Sequence, residues 1–147
     1  MKKINVWVGS DHGGFDLKSE VIEMLSCDPR YSVCDVGADG DKSVDYPQYA
    51  VAVSEGVLSD EGGFGILICG TGVGMSIVAN KQRGIRAVLA HNEFVSAMGR
   101  KHNDANVLCL GARVIGTSLG LEIVKSFLSE EFEGGRHKRR VDQIERL

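Results

Sequence analysis

The sequence predicts an α/β protein, a three-layer α/β/α Rossmann-like domain built on a five-stranded parallel sheet. Three observations carry that prediction. Short, nearly all-apolar runs alternate with segments whose apolar residues recur at helical spacing. Strands of that composition are covered on both faces, and strands alternating with helices pair in parallel through right-handed crossovers. The length, 147 residues, fits one domain. A chain of that size buries about 68–70% of the surface its unfolded form exposes, enough for a core without disulfides or a structural metal.

The first strand is expected over Ile4–Val8, ahead of the turn Gly9-Ser10-Asp11-His12-Gly13-Gly14. In the helix that follows, Leu17, Val21, Met24 and Leu25 fall at i, i+4, i+7 and i+8 and form one apolar face. The second strand, Tyr31–Val36, leads into a polar loop from Gly37 to Tyr46. Pro47 suits the first turn of a helix that reaches about Leu58. The third strand, Gly65–Cys69, runs into the alternating glycines Gly70, Gly72 and Gly74 and a helix over about Val73–Gln82. The fourth strand covers Arg86–Ala90 and meets His91-Asn92 before a helix over about Glu93–Lys101. The fifth, Val107–Leu110, precedes Gly111-Ala112-Arg113 and a helix over about Ser118–Phe132. One domain over 1–147 is expected, with 134–147 as a basic C-terminal segment and no internal repeat or linker.

Composition narrows the function. The chain is 43% hydrophobic and 25% charged, with a net charge of -3, which argues against a general nucleic-acid binder because phosphate backbones need a basic face. The 19 glycines against 2 prolines point to tight turns and close backbone approaches. The apolar run after Lys2-Lys3 is too short for a signal-peptide core or a membrane span, so a cytoplasmic location and no membrane partner are expected. Cys27, Cys34, Cys69 and Cys109 show no zinc spacing and read as free thiols in a reducing compartment. Cys27, Cys34 and Cys109 are expected to be small buried hydrophobes.

Open parallel sheets bind ligands beyond the carboxyl ends of their strands, so the turns named above are where chemistry is expected. The glycine loop is not a dinucleotide turn, because Met75 stands where the third glycine belongs. It is not a Walker A loop either, since no Gly-Lys-Ser/Thr follows. A loop entering a helix N-terminus still offers free N–H groups and a favourable dipole to a phosphate or a developing oxyanion. Cys69 precedes it directly, and a helix N-terminus favours the thiolate. The residue reads either as a base or nucleophile or as a buried cysteine ending a strand.

His12 follows Asp11, whose carboxylate can orient or charge it. His102 sits in Arg100-Lys101-His102-Asn103-Asp104, where a helix C-terminus favours the protonated ring. His137 lies in the basic run Arg136-His137-Lys138-Arg139-Arg140. Each alone also fits a surface or capping role, and nothing distinguishes His91. The basic run reads as a solvated tail or a weak nucleic-acid arm, though no aromatics interleave it for stacking. If it is helical, Arg136 and Arg140 share a face and form a phosphate clamp. Asp45 and Pro47 are explained by helix entry, which leaves Tyr46 free to reach a ligand.

Together, Gly-Ser-Asp-His-Gly-Gly, Asp-Tyr-Pro, Ile-Cys-Gly-Thr-Gly-Val-Gly, Ala-Asn-Lys, Gly-Ile-Arg-Ala, Arg-Lys-His-Asn-Asp-Ala-Asn-Val-Leu and Gly-Gly-Arg-His-Lys-Arg-Arg-Val resemble the ribose-5-phosphate isomerase B family. That family includes galactose-6-phosphate and allose-6-phosphate isomerases. The resemblance runs from Val8 to Val141 with the motifs in family order. It implies aldose–ketose isomerisation of ribose 5-phosphate and ribulose 5-phosphate through a cis-enediolate, without metal or organic cofactor. It implies His102 as ring opener with Asp11 beside it, Cys69 as the base at C2 and C1, and Thr71 as a proton shuttle. It implies enediolate oxygens held by the amides from Gly70 to Gly74, and a sugar positioned by Tyr46 and Asn103. The phosphate falls to His12, Arg113, Arg136 and Arg140, with His137 as a further helper. Met75 stands where the glutamate-base members carry their base, which places this chain with the cysteine-base group. The resemblance also implies a homodimer with sites shared between subunits, and leaves a dimer of dimers open.

Two alternatives stand beside that reading. One is the same chemistry on a six-carbon sugar phosphate. The other is a non-catalytic phosphate-ligand module in which Cys69 is inert.

Overall fold

The computed structural model describes residues 1–147 and has the three expected layers. Strands β1 (Ile4–Ser10), β2 (Tyr31–Asp35), β3 (Phe64–Cys69), β4 (Ala87–Leu89) and β5 (Val107–Gly111) form one parallel sheet in the order β2-β1-β3-β5-β4. Helices α1 (Phe15–Ser26), α2 (Pro47–Ser59), α3 (Val73–Asn80), α4 (Glu93–Asn103), α5 (Thr117–Ser129) and α6 (Arg136–Glu145) connect and follow them. No helix is long and apolar enough to cross a membrane.

Strand alternation divides the core in two. Val6, Val8, Ile66, Ile68, Leu108 and Leu110 meet Leu17 and Val21 of α1 and Ile123 and Phe127 of α5 on one face. On the other face Leu67, Cys69, Val107 and Cys109 meet Ala50 and Val53 of α2 and Met75 and Ala79 of α3. Ile66, Leu67 and Ile68 are fully buried, and burying each stabilises the fold by roughly 1.5–3 kcal/mol over leaving it exposed. Helix α4 leans on α5, where Ser96 Oγ donates to the Ile123 carbonyl at 3.0 Å.

Several expectations need correcting. Helix α5 stops at Ser129, not Phe132, and α3 stops at Asn80. Strand β4 begins at Ala87 because the Arg86 N–H donates to Asn106 Oδ1 at 2.8 Å. Cys27 and Cys34 are exposed, unlike buried Cys109. Cys27 lies just past the last turn of α1, and β2 is an edge strand whose alternate positions meet solvent. The basic segment is no solvated tail but helix α6, with His137 and Val141 buried. Gly134 (φ 68°) and Gly135 (φ 56°) make the turn into it.

The other edge strand, β4, is closed by a side chain. The Ala87 N–H donates to Asn80 Oδ1 at 2.8 Å, and Asn80 Nδ2 donates to the Ala87 carbonyl at 3.0 Å. The interior pair β1 and β3 matters most for function. The helices that follow these neighbours, α1 and α3, cover opposite faces, so a crevice opens between their carboxyl ends.

Candidate active site

Two turns flank that crevice. On the β1 side, the Asp11 N–H donates to the Ile68 carbonyl at 3.3 Å, which ties the turn to β3. Its carboxylate Oδ1 accepts the Gly14 N–H at 3.2 Å and caps the short 3-10 turn His12–Gly14. His12 Nδ1 accepts the Val44 N–H at 3.2 Å, so the ring pins the loop after β2 and leaves Nε2 as the donor. Asp35 Oδ1 supports the same loop, accepting the Gly37 N–H at 2.9 Å and the ammonium of fully buried Lys18 at 2.5 Å.

On the β3 side, Cys69 is 5% exposed and its Sγ accepts the Gly72 N–H at 3.1 Å. That donor belongs to the N-cap of α3, so the sulfur faces a helix N-terminus and a preformed N–H, both placed for negative charge. Only glycine fits at position 72. Its φ is 78°, and an added Cβ would lie 2.6 Å from Leu89 Cδ1 and 3.0 Å from the Leu110 carbonyl oxygen. Gly74 is constrained by a side chain alone, because a Cβ there would lie 2.5 Å from Tyr46 Cζ. Tyr46, the residue before α2, therefore lays its ring on the glycine loop. The Arg113 guanidinium lies over Gly70, 3.3 Å from where its Cβ would be, and near Gly13 on the opposite turn. Thr71 is exposed at the loop tip, its Oγ1 accepting the Val73 N–H at 3.3 Å.

Asp11, His12, Tyr46, Cys69, Gly70, Thr71, Gly72, Gly74 and Arg113 are thus brought together, and the arrangement offers a sulfur, an anion-binding loop and the Arg113 guanidinium around one crevice. His102, Asn103, Arg136, His137 and Arg140 are not part of it. They sit where the strands begin. Arg86, just before β4, donates through Nε to the Asn103 carbonyl at 3.0 Å and through Nη1 to Glu145 at 2.7 Å. Register pairs Gly65 with Val107 and Cys69 with Gly111, four residues or about 13 Å apart along the strands, and the His102 turn lies below Val107.

In this second cluster the His102 and His137 rings stack with centroids 4.1 Å apart and planes 7° from parallel. Each Nε2 lies 3.5 Å from Glu133 Oε1. Burial, then the neighbouring charges of His102 and Arg136, hold the His137 imidazole below its usual value, against the pull of Glu133. Burial pushes the Cys109 thiol well above the ordinary range, with Cys69 adding to the effect.

Sequence reasoning missed four residues. Arg86 acts across long separations, and Glu133 joins His137, four residues on, to the distant His102, a link no local pattern reveals. Lys18 looks like any helix-surface lysine. His91 reaches the Thr71 carbonyl through Nε2 at 3.3 Å, a contact that depends on how β4 and β3 end.

Comparison with known proteins adds four matches. The Ribose/Galactose Isomerase family matches residues 6–144. Ribose-5-phosphate isomerase B of Escherichia coli (strain K12) is 46% identical over 144 residues, covering 98% of this chain and 95% of that protein. Among solved structures, ribose-5-phosphate isomerase B of Clostridium thermocellum superposes with a TM-score of 0.94 at 49% identity, covering 97% of this chain and 96% of that one. The Thermotoga maritima ribose 5-phosphate isomerase has a TM-score of 0.95 at 45% identity, covering 99% and 100%.

Proposed function

The chain belongs to the ribose/galactose isomerase family, and from that premise we propose that it interconverts ribose 5-phosphate and ribulose 5-phosphate. One observation carries the assignment beyond family membership: Cys69 Sγ facing the Gly72 N–H at the mouth of α3. Removing a proton next to a carbonyl needs a base and a ready site for the new negative charge, and this turn supplies both. The thiolate takes the proton from C2. The C1 carbonyl oxygen becomes an enediolate oxygen held by the amides from Gly70 to Gly74. Thr71 moves the proton from O2 to O1, and the thiol returns its own proton to C1, leaving the carbonyl at C2.

Asp11 lies on the sugar side of the same crevice, Tyr46 lines its wall, and His12 and Arg113 hold the phosphate. The remaining groups, His102 for ring opening, Asn103 for the sugar and Arg136, His137 and Arg140 for the phosphate, lie at the far edge of the sheet. We therefore propose a two-fold homodimer in which one copy's far edge closes the other's crevice, making two equivalent composite sites. The whole chain, 1–147, works as one isomerase domain.

The test is ribulose 5-phosphate formation from ribose 5-phosphate in the presence of a chelator, comparing the protein with its Cys69→Ala variant. The expected result is turnover that collapses in the variant. Turnover that survives Cys69→Ala removes the cysteine base. Turnover only on six-carbon phosphates changes the substrate, and none on either leaves a binding module.

A further inference from the structure

His102, Glu133 and His137 have a property the isomerase reading does not use. Two imidazole nitrogens and a carboxylate oxygen lie within 4.8 Å of one another. A tetrahedral cation held at zinc-like bond lengths separates its ligand atoms by about 3.4 Å. Two of the three edges here, His102 Nε2 to Glu133 Oε1 and His137 Nε2 to Glu133 Oε1, already measure 3.5 Å. Both Nε2 atoms lie beside the same carboxylate oxygen, but parallel ring planes cannot both aim a lone pair at one ion, so His102 leaves the stack on binding.

The cluster is also held in place. The Glu133 N–H donates to the Lys101 carbonyl at 3.0 Å, one residue before His102, and the His137 N–H donates to the Gly134 carbonyl at 3.0 Å. The His137 side chain is only 11% exposed and is the fixed ligand. The His102 side chain, 40% exposed, is the one that rotates out of the stack to complete the site.

We propose that His102, Glu133 and His137 form a binding site for a divalent transition-metal cation of the zinc class, with its fourth position open to water. Two imidazoles and one carboxylate suit zinc-like ions, whereas magnesium and calcium favour oxygen ligands. The consequence for turnover rests on the isomerase reading. A cation that takes His102 Nε2 removes the ring-opening group, so metal and substrate turnover exclude each other. The site is then a brake, not a cofactor. Arg136 and Arg140 on the same helix oppose a further positive charge, which keeps the site responsive to cation concentration.

A Co2+ titration of the metal-stripped, full-length protein, read by visible absorption, tests the site. The expected result is d–d bands of low-symmetry Co2+ without sulfur-to-metal charge transfer, unchanged in Cys69→Ala. In Glu133→Gln and in His137→Gln the apparent Kd should weaken at least about tenfold. Glu133 is exposed, so its substitution leaves the fold intact. Sulfur charge transfer, absence of bands, or bands indifferent to both substitutions overturns the site. A second arm measures Zn2+ inhibition of ribose 5-phosphate turnover, where Glu133→Gln should raise the half-inhibitory concentration at least about tenfold. Equal inhibition of both proteins overturns the brake. The absorption arm needs no turnover, so failure of the isomerase reading and failure of the metal site are distinguishable.

Discussion

Arg86 Nη1 lies 2.7 Å from Glu145 Oε1, and this contact joins the start of β4 to the last turn of α6. The same guanidinium reaches the Asn103 and Asp104 carbonyls. One side chain therefore sets α4 and α6, the two carriers of the second cluster, relative to each other. Arg86→Met should lower unfolding free energy by about 1.5–3 kcal/mol, the scale of hydrogen bonds to charged groups. It should also raise KM several-fold, since Arg136 and Arg140, proposed to hold the phosphate, ride on α6. Urea unfolding and steady-state kinetics check the two effects. An unchanged KM would mean that α6 does not depend on this contact.

The proposed composite site of a homodimer predicts complementation. Cys69→Ala and His102→Ala should each be nearly inactive alone. Unfolded together and refolded as a mixture, they should recover about a quarter of the starting activity, because half the dimers are mixed and each mixed dimer has one intact site. No recovery would put all the groups in one chain.

Gly74→Ala should act through Tyr46. The new methyl needs the space of the phenol ring, so the ring must leave the loop. KM should rise, and the double variant Gly74→Ala, Tyr46→Ala should be no worse than Tyr46→Ala alone, the non-additivity of residues in contact. Independent, additive losses would sink this coupling.

The thiols should sort by environment under iodoacetamide. Cys27 and Cys34 are exposed and should alkylate in the native state. Cys109 is fully buried and its thiol is held protonated, so it should react only on unfolding. Peptide mass spectrometry reads all four, and native-state labelling of Cys109 would contradict the packing of β5.

Asp28 provides the pH test. Its carboxylate receives Arg30 Nη2 at 2.6 Å and the Arg30 N–H at 2.9 Å, and its pKa is lowered from 3.8 to about 2, first by the side-chain hydrogen bond. A depressed carboxylate stabilises the fold above the unfolded value and loses that contribution as pH falls from 3.8 through 2. The pair is exposed, so salt should weaken it. A carboxyl-carbon NMR titration should show the low midpoint at low ionic strength and an upward shift in Arg30→Ala. A midpoint near 3.8 in both proteins would remove the pair.

Much of this molecule was readable before any coordinates. Five strands appear where the apolar runs lie, four of them running into a glycine, because a buried strand announces itself by composition. Cys69, the glycine loop and Asp11 were found by position, since a parallel sheet puts every strand's end on one edge. That rule does not reach His102 and Asn103, which end a helix and lie at the opposite edge, and only the family resemblance gives them a site role. The final helix was ambiguous because its polar residues outnumber Val141 and His137, the two that bury. Glu133 stayed silent because a glutamate acquires meaning only when folding sets two histidines beside it.

The Asn80 amide that closes β4 has a chemical lifetime. Hydrolytic deamidation replaces its Nδ2 donor with a second acceptor, and that oxygen then faces the Ala87 carbonyl across the same gap. Repulsion replaces a hydrogen bond, and the strand's rim becomes available to pair with another chain. Loss of this amide in a stored sample should register as a one-dalton gain at Asn80, and clumping should follow that damage rather than precede it.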